Sequence, residues 1–406
     1  MKCNQISISR FHHFHLARQL EKRDWLEKLY TGYPRFKLRD ETGIDPDHIQ
    51  TFPWLHAPYM ARGKIGLNRF KGLSKNWSWA AHDTLDRFVS SQIHKQSILI
   101  ALAGTGLYAG RKTQTLGGIH ICDSGSSNII FSSDILHKEY QRWGFQWEGW
   151  DPRIIDKTQK EYEQSDYISV PSQFCFNSFI EQGFPPEKLI KIPYGARLEK
   201  FFPADTLVQD SATDERFRVL FVGQVSIRKG IGDLLAAFEH FSHPRKELRV
   251  IGSITPEGSE LLSQISCDKI EVIGRVPNQQ LRNEYSNADV FILPGIEEGF
   301  GMVIGEAMAC GCPVIASTNT GASEIITDGI EGFIVPTRAP KAIAECLQQL
   351  ADEPELCQQM GQAALARVQQ LGGWDDYGEQ WADVIRRLQA GDTASWSRRP
   401  ALAMEH

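Results

Sequence analysis

Two glutamates frame one stretch of this chain, "EEGFGMVIGEAMACGCP" at 297–313. Glu298 is followed at once by Gly299, Phe300 and Gly301, and Glu306 comes later among small and apolar residues. On a helix rising about 1.5 Å per residue, the two carboxylates would stand about 12 Å apart. That is comparable with the span from a sugar, across a diphosphate, to a ribose. A carboxylate at each end can accept hydrogen bonds from hydroxyls. The N–H groups between them, freed by glycine and by a helix start near Met302, can face a charged middle. Such a geometry suits a nucleotide-sugar. A strand–loop–helix corner with two solvated glutamates has the same spacing, so spacing alone does not choose.

A second stretch, "FVGQVSIRKGIGDLLAAF" at 221–238, reads as a strand ending at Gly223, a short loop and a helix. Arg228 and Lys229 fall just before the helix. Two cations beside a helix N-terminus can neutralise a leaving diphosphate without a metal.

Elements must hold these side chains in place. From residue 216, short apolar runs alternate with helical segments: "FRVLFVG", "ELRVIGS", "KIEVIG", "DVFILPG" and "PVIAS". This is the pattern of a parallel sheet covered on both faces, where ligands sit at the carboxyl ends of strands. The first half is similar in kind, with runs at "SILIALAG", "GGIHIC", "DYISVP" and "KLIKIPYG". A chain of 406 residues exceeds what one core usually organises. The expected fold is therefore α/β, two Rossmann-like doubly wound domains facing each other across a cleft. The first domain is expected at 1–205, the second at 206–385 and a disordered tail at 386–406. The polar stretch 203–216 serves as linker.

Taken together and in this order, the two motifs resemble the nucleotide-binding domain of retaining glycosyltransferases of family four (group 1), which have the GT-B fold. The resemblance extends through "IGRVPNQQLRNEYSNADVFILP" (273–294) and "TGASEIITDGIEGFIVP" (320–336). It implies that Glu298 binds donor-sugar hydroxyls near the anomeric carbon. Phe300 and Gly301 would present backbone amides, Glu306 would hold the ribose hydroxyls, and Arg228 and Lys229 the diphosphate. The backbone at Arg275 and Val276 would edge the base. Gly223, Gly299 and Met302 complete the donor-binding set. Gln224 stands where the family often has arginine. The implied reaction is metal-independent transfer of a hexose, with retention, from a GDP- or UDP-linked donor to a glycan, lipid-linked or small-molecule acceptor. No cofactor is implied. The alternatives are another GT-B enzyme, an epimerase or phosphorylase, and a catalytically silent nucleotide-sugar-binding module.

In the first half the matching strand-and-loop, "GGIHICDSGSSNIIFSSDILHKEYQRWG" (117–144), puts Asp123 at a strand end, which makes it the acceptor-side catalytic candidate. His12, His13 and His15 invite a metal reading, but no carboxylate or cysteine lies near them in sequence, so no metal site is expected. "DPD" at 45–47 imitates a metal–diphosphate motif, yet it follows a polar stretch instead of an apolar strand. Residues 51–82 contain no Asp or Glu but five Lys or Arg and six aromatics. Two readings stand open there: contact with an anionic membrane or lipid-linked acceptor, and an irregular acceptor-site loop. Net charge of −6 argues against a nucleic-acid partner. Eight scattered cysteines read as reduced thiols, and the expected location is cytoplasmic.

Overall fold

A computed structural model describes residues 1–8, 10–62, 71–195, 200–204, 216–265 and 268–392. The first sheet holds β1 (Cys3–Ser7), β2 (Leu26–Thr31), β3 (Ile49–Thr51), β4 (Ile98–Leu102), β5 (Ile119–Asp123), β6 (Tyr167–Val170) and β7 (Leu189–Lys191). The second holds β8 (Phe217–Val222), β9 (Lys246–Ile251), β10 (Ile270–Gly274), β11 (Val290–Leu293), β12 (Val314–Ser317) and β13 (Gly332–Val335). The strand orders are β3-β2-β1-β4-β5-β6-β7 and β10-β9-β8-β11-β12-β13. Neighbouring strands pair in parallel throughout. In each sheet the order reverses beside the first strand, between β1 and β4 and between β8 and β11. A crevice opens at the carboxyl ends of such a reversal.

The second sheet is doubly wound because its strands are apolar on both faces. In β8, Val219 and Phe221 join one buried cluster, and Leu220 and Val222 join another. In β11, Val290 and Ile292 part from Phe291 and Leu293 in the same way. Successive side chains of a strand point to opposite faces, so each face needs its own helical layer. Helices Ile231–His240 and Pro340–Asp352 cover one face of the second sheet, and Met302–Ala309 and Pro354–Gln369 the other.

The last helix, Gly373–Ala390, leaves the second sheet and packs on helix His12–Glu21 of the first half. Asp375 accepts from Gln19 at 2.6 Å and from Lys22 at 2.7 Å, and Arg23 pairs with Glu379. Tyr377 and Trp381 are buried there, and one apolar cluster runs through both halves. This corrects the expected tail: residues 386–390 are helical, with Leu388 buried. Residues 393–406 lie outside the described residues, as do 205–215 of the expected linker.

One of the two readings of residues 51–82, the irregular loop, also changes. Residues 71–82, read as loop, begin helix Lys71–Gln92, and His56–Ala61 is a short helix. Residues 63–70 of that stretch lie outside the described residues. At 45–47, Asp45 accepts from the Asp47 amide at 2.8 Å and caps the short turn Pro46–His48. The imitation of a metal motif is a turn cap. Among the described residues no helix is long and apolar enough to cross a membrane, and seven cysteines are free thiols.

Candidate active site

The second sheet's crevice is built from the loops after β8 and β11, and main chain knits them together. Ile296 and Glu297 donate their amides to the Arg228 carbonyl at 2.9 and 3.4 Å. From the other side Glu298 N–H reaches the Asn319 carbonyl at 3.1 Å. Gly301 then turns the chain into helix Met302–Ala309 with φ of +56°, a conformation that costs most residues strain. No side chain caps this helix, so its first amides remain open to a ligand.

Across this junction the charges converge. Lys229 Nζ pairs with Glu298 Oε2, and Arg228 Nη1 lies 3.4 Å from the same oxygen. The Gly301 amide donates to Glu298 Oε1 at 3.4 Å. Burial works to raise the Glu298 carboxyl, but Lys229 and Arg228 outweigh it and hold it below its ordinary value. Glu298 is thus a carboxylate at neutral pH, beside two cations and the start of a helix.

Glu306 is half-buried on that helix and accepts from the Tyr285 hydroxyl at 3.1 Å. Burial pushes its carboxyl up to about 7, and Tyr285 offsets only part of the shift. The continuous helical ruler between the two glutamates is corrected: 298–301 is loop, and only 302 onward is helical.

The remaining donor-side candidates spread along the same edge. Gly223 follows β8, with its amide on the Ile251 carbonyl at 2.9 Å. Met302 is half-buried at the helix start, and exposed Arg275 and half-buried Val276 follow edge strand β10. Phe300 is buried, its ring 5.4 Å from that of Tyr194 in the first half. Gly299 makes the closest approach. A Cβ there would lie 2.2 Å from the Gly125 carbonyl oxygen, so only glycine fits.

On the facing side, Asp123 ends β5 and is buried. His12 Nε2 donates to Asp123 Oδ2 at 2.8 Å, His13 Nε2 lies 3.1 Å from that oxygen, and Ser169 donates to Oδ1 at 2.8 Å. Burial works against the Asp123 charge, but the two histidines and their hydrogen bonds hold its carboxyl well below the usual range. His13 is lowered, chiefly by burial, and stays neutral. His12, His13 and Asp123 offer ligand atoms all within 4.8 Å of one another, so these three side chains could hold a metal ion. The sequence-based premise that no carboxylate lies near the histidines is therefore corrected. His15 stands apart, stacked on Trp374 at 3.8 Å.

Sequence reasoning missed Glu297. This residue is buried and accepts from Ser126 and Ser127 of the facing half. The doublet "EE" was its only signal.

Residues 205–367 match the family model described as Glycosyl transferases group 1. The matched stretch contains all six strands of the second sheet. It is 32% identical over 215 residues to the D-inositol 3-phosphate glycosyltransferase of Streptomyces avermitilis, covering 48% of this chain and 46% of that protein. It is 30% identical over 255 residues to the lipopolysaccharide 1,2-N-acetylglucosaminetransferase of Salmonella typhimurium, covering 58% of this chain and 64% of that one. The chain thus matches about half of the first relative and under two thirds of the second. The fold is GT-B. Anabaena HepE, crystallised with UDP and glucose, superposes with a TM-score of 0.68 at 17% identity, covering 95% of this chain and 99% of that one. Sucrose-phosphate synthase of Thermosynechococcus elongatus gives 0.66 at 20% identity, covering 96% and 100%.

Proposed function

We propose that this chain is a group 1 glycosyltransferase that moves a hexose, with retention and without a metal at the diphosphate, from a GDP- or UDP-linked donor to a glycan, lipid-linked or small-molecule acceptor. The observation that carries the reading is the convergence of Arg228, Lys229 and Glu298 on the uncapped start of helix Met302–Ala309. HepE, of the same fold, holds UDP and glucose, which supports a sugar nucleotide in this crevice.

Departure of a nucleoside diphosphate places negative charge on the leaving group. Arg228, Lys229 and the open amides stabilise that charge, and being preorganised they need no rearrangement as it develops. A bound diphosphate replaces Glu298 as partner of the two cations. The Glu298 carboxylate then accepts from sugar hydroxyls, and its negative charge favours a cationic anomeric centre. The leaving diphosphate takes the acceptor's proton, so no dedicated base is needed on the donor side. Glu306 receives the ribose hydroxyls, and Arg275 and Val276 edge the base. On the acceptor side Asp123 acts as a positioning residue through His12 and His13. Closure of the two halves excludes water and limits hydrolysis of the donor.

The test is a thermal-shift panel of GDP- and UDP-sugars. A ligand at 100 times its Kd stabilises by about 2.7 kcal/mol, so the true donor class should raise the melting temperature clearly. Radiolabelled transfer from the best binder then separates a transferase from an epimerase or a silent binder. A panel in which no sugar nucleotide shifts the transition overturns the proposal.

A further inference from the structure

Glu297 has no part in the donor site as assigned above, yet it is the more deeply buried of the glutamate pair, at 2% exposure. Its Oε1 accepts from Ser126 Oγ at 2.7 Å, from Ser127 Oγ at 2.7 Å and from the Ser127 amide at 3.2 Å. All three donors belong to the loop after β5, in the opposite half of the molecule. On its own side Arg228 Nη1 donates to the Glu297 carbonyl at 2.7 Å and lies 3.5 Å from Oε2. One carboxylate therefore joins the facing domain to a cation assigned to the diphosphate.

The seam continues along the same edge. Ser172 Oγ donates to the Gly299 carbonyl at 2.7 Å. Further along, the Gln173 amide donates to Glu324 Oε1 at 2.7 Å, and Lys191 pairs with Glu324 at 3.0 Å. In each of these contacts the first half supplies donors and the second half acceptors. Such a seam is held by hydrogen bonds that water can replace when it opens, unlike the apolar packing of Tyr377 and Trp381 where the last helix meets helix His12–Glu21. A buried carboxylate is costly unless its hydrogen bonds are made. Opening would strip Glu297 of three donors at once.

We propose that Glu297 is a positioning residue, a latch that closes the Ser126–Ser127 loop onto the donor site and ties that closure to donor occupancy. The latch itself stands on geometry, and its coupling to ligand rests on the donor-site reading above. A diphosphate that draws Arg228 away leaves the serine donors as the main partners of the Glu297 charge. Holding those donors then matters more, so a bound donor strengthens closure.

Hydrogen exchange read by mass spectrometry tests this on the full chain, with UDP and GDP as probes. In Glu297→Ala the peptide around Gln173 should exchange about tenfold faster, although it touches Glu324 and not Glu297. A merely local defect would leave that peptide unchanged. Nucleoside diphosphate should slow its exchange in the wild type but not in the variant, while nucleotide affinity falls by no more than about threefold, the scale of one weak contact. Unchanged exchange at Gln173, with nucleotide binding weakened as strongly as in Lys229→Ala, would make Glu297 a donor ligand and overturn the latch. The Ser126→Ala/Ser127→Ala variant removes the same bonds from the other side and should reproduce the faster exchange even if Glu297→Ala does not fold. Wild type that binds neither nucleotide refutes the donor reading, and exchange at Gln173 without ligand still decides the latch.

Discussion

The loops after β11 and β5 each hold a carboxylate at a strand's carboxyl end, in opposite circumstances. The Glu298 side chain keeps 16% exposure and shares its charge with Lys229 and Arg228, which a diphosphate could take from it. The Asp123 side chain is 3% exposed and spends its oxygens on His12, His13 and Ser169. One cluster is poised to exchange partners with a ligand, and the other is closed upon itself. Ligand chemistry is expected to depend on the first and local stability on the second.

The comparison is broken most sharply at the closed cluster. His12→Ala leaves the Asp123 carboxylate short of a donor in a buried site, which should cost about 3 kcal/mol of folding stability by denaturant titration. A neutral result would show that Asp123 is free to meet ligand. At the open cluster, Glu298→Gln and Lys229→Ala should lower transfer by about 10²-fold or more, the scale of one lost preorganised electrostatic group. Their unfolding midpoints should stay near that of wild type. Turnover unchanged in both variants would contradict the site. Glu306→Ala should raise donor KM about tenfold with kcat little changed, because ribose contacts are made in ground and transition states alike.

The smallest effect concerns pH. Glu306 titrates near 7, above its ordinary 4.5, because burial disfavours its charge. Ribose hydroxyls favour the charged form, so donor binding should release a proton, and affinity should rise as pH passes upward through about 7. Stability has the opposite sign. The native state holds the Glu306 proton more tightly than the unfolded chain, so this contribution is complete below 4.5 and lost as pH rises through about 7. Glu306→Gln should flatten both profiles, read by titration calorimetry and thermal melts.

Much of the second half was legible because its signals are local. Strand β11 is "VFIL" with every residue buried, and the glycine turn and helix that follow keep Glu298, Gly301 and Glu306 within one short stretch. The first half was harder to read because one of its interior strands does not look like one. β1 reads "CNQIS", and Asn4 and Gln5 are buried inside the sheet, with Asn4 donating to Ser97 at 3.1 Å. Periodicity weighs polarity and cannot foresee a partner supplied by a distant segment. His12 and His13 looked isolated for the same reason, since their carboxylate is 111 residues away along the chain from His12.

By itself the sequence determined the two parallel sheets and the residue types at the open cluster, because strand patterning and a strand–turn–helix motif act over a few residues. Tertiary structure alone decided which distant groups meet: Asp123 with the histidines inside the first half and, between the halves, Glu297 with Ser126 and Ser127 and the last helix with the first. Such pairings depend on how distant segments are set against each other. They become visible only where burial forces a polar group to find a partner from another part of the chain.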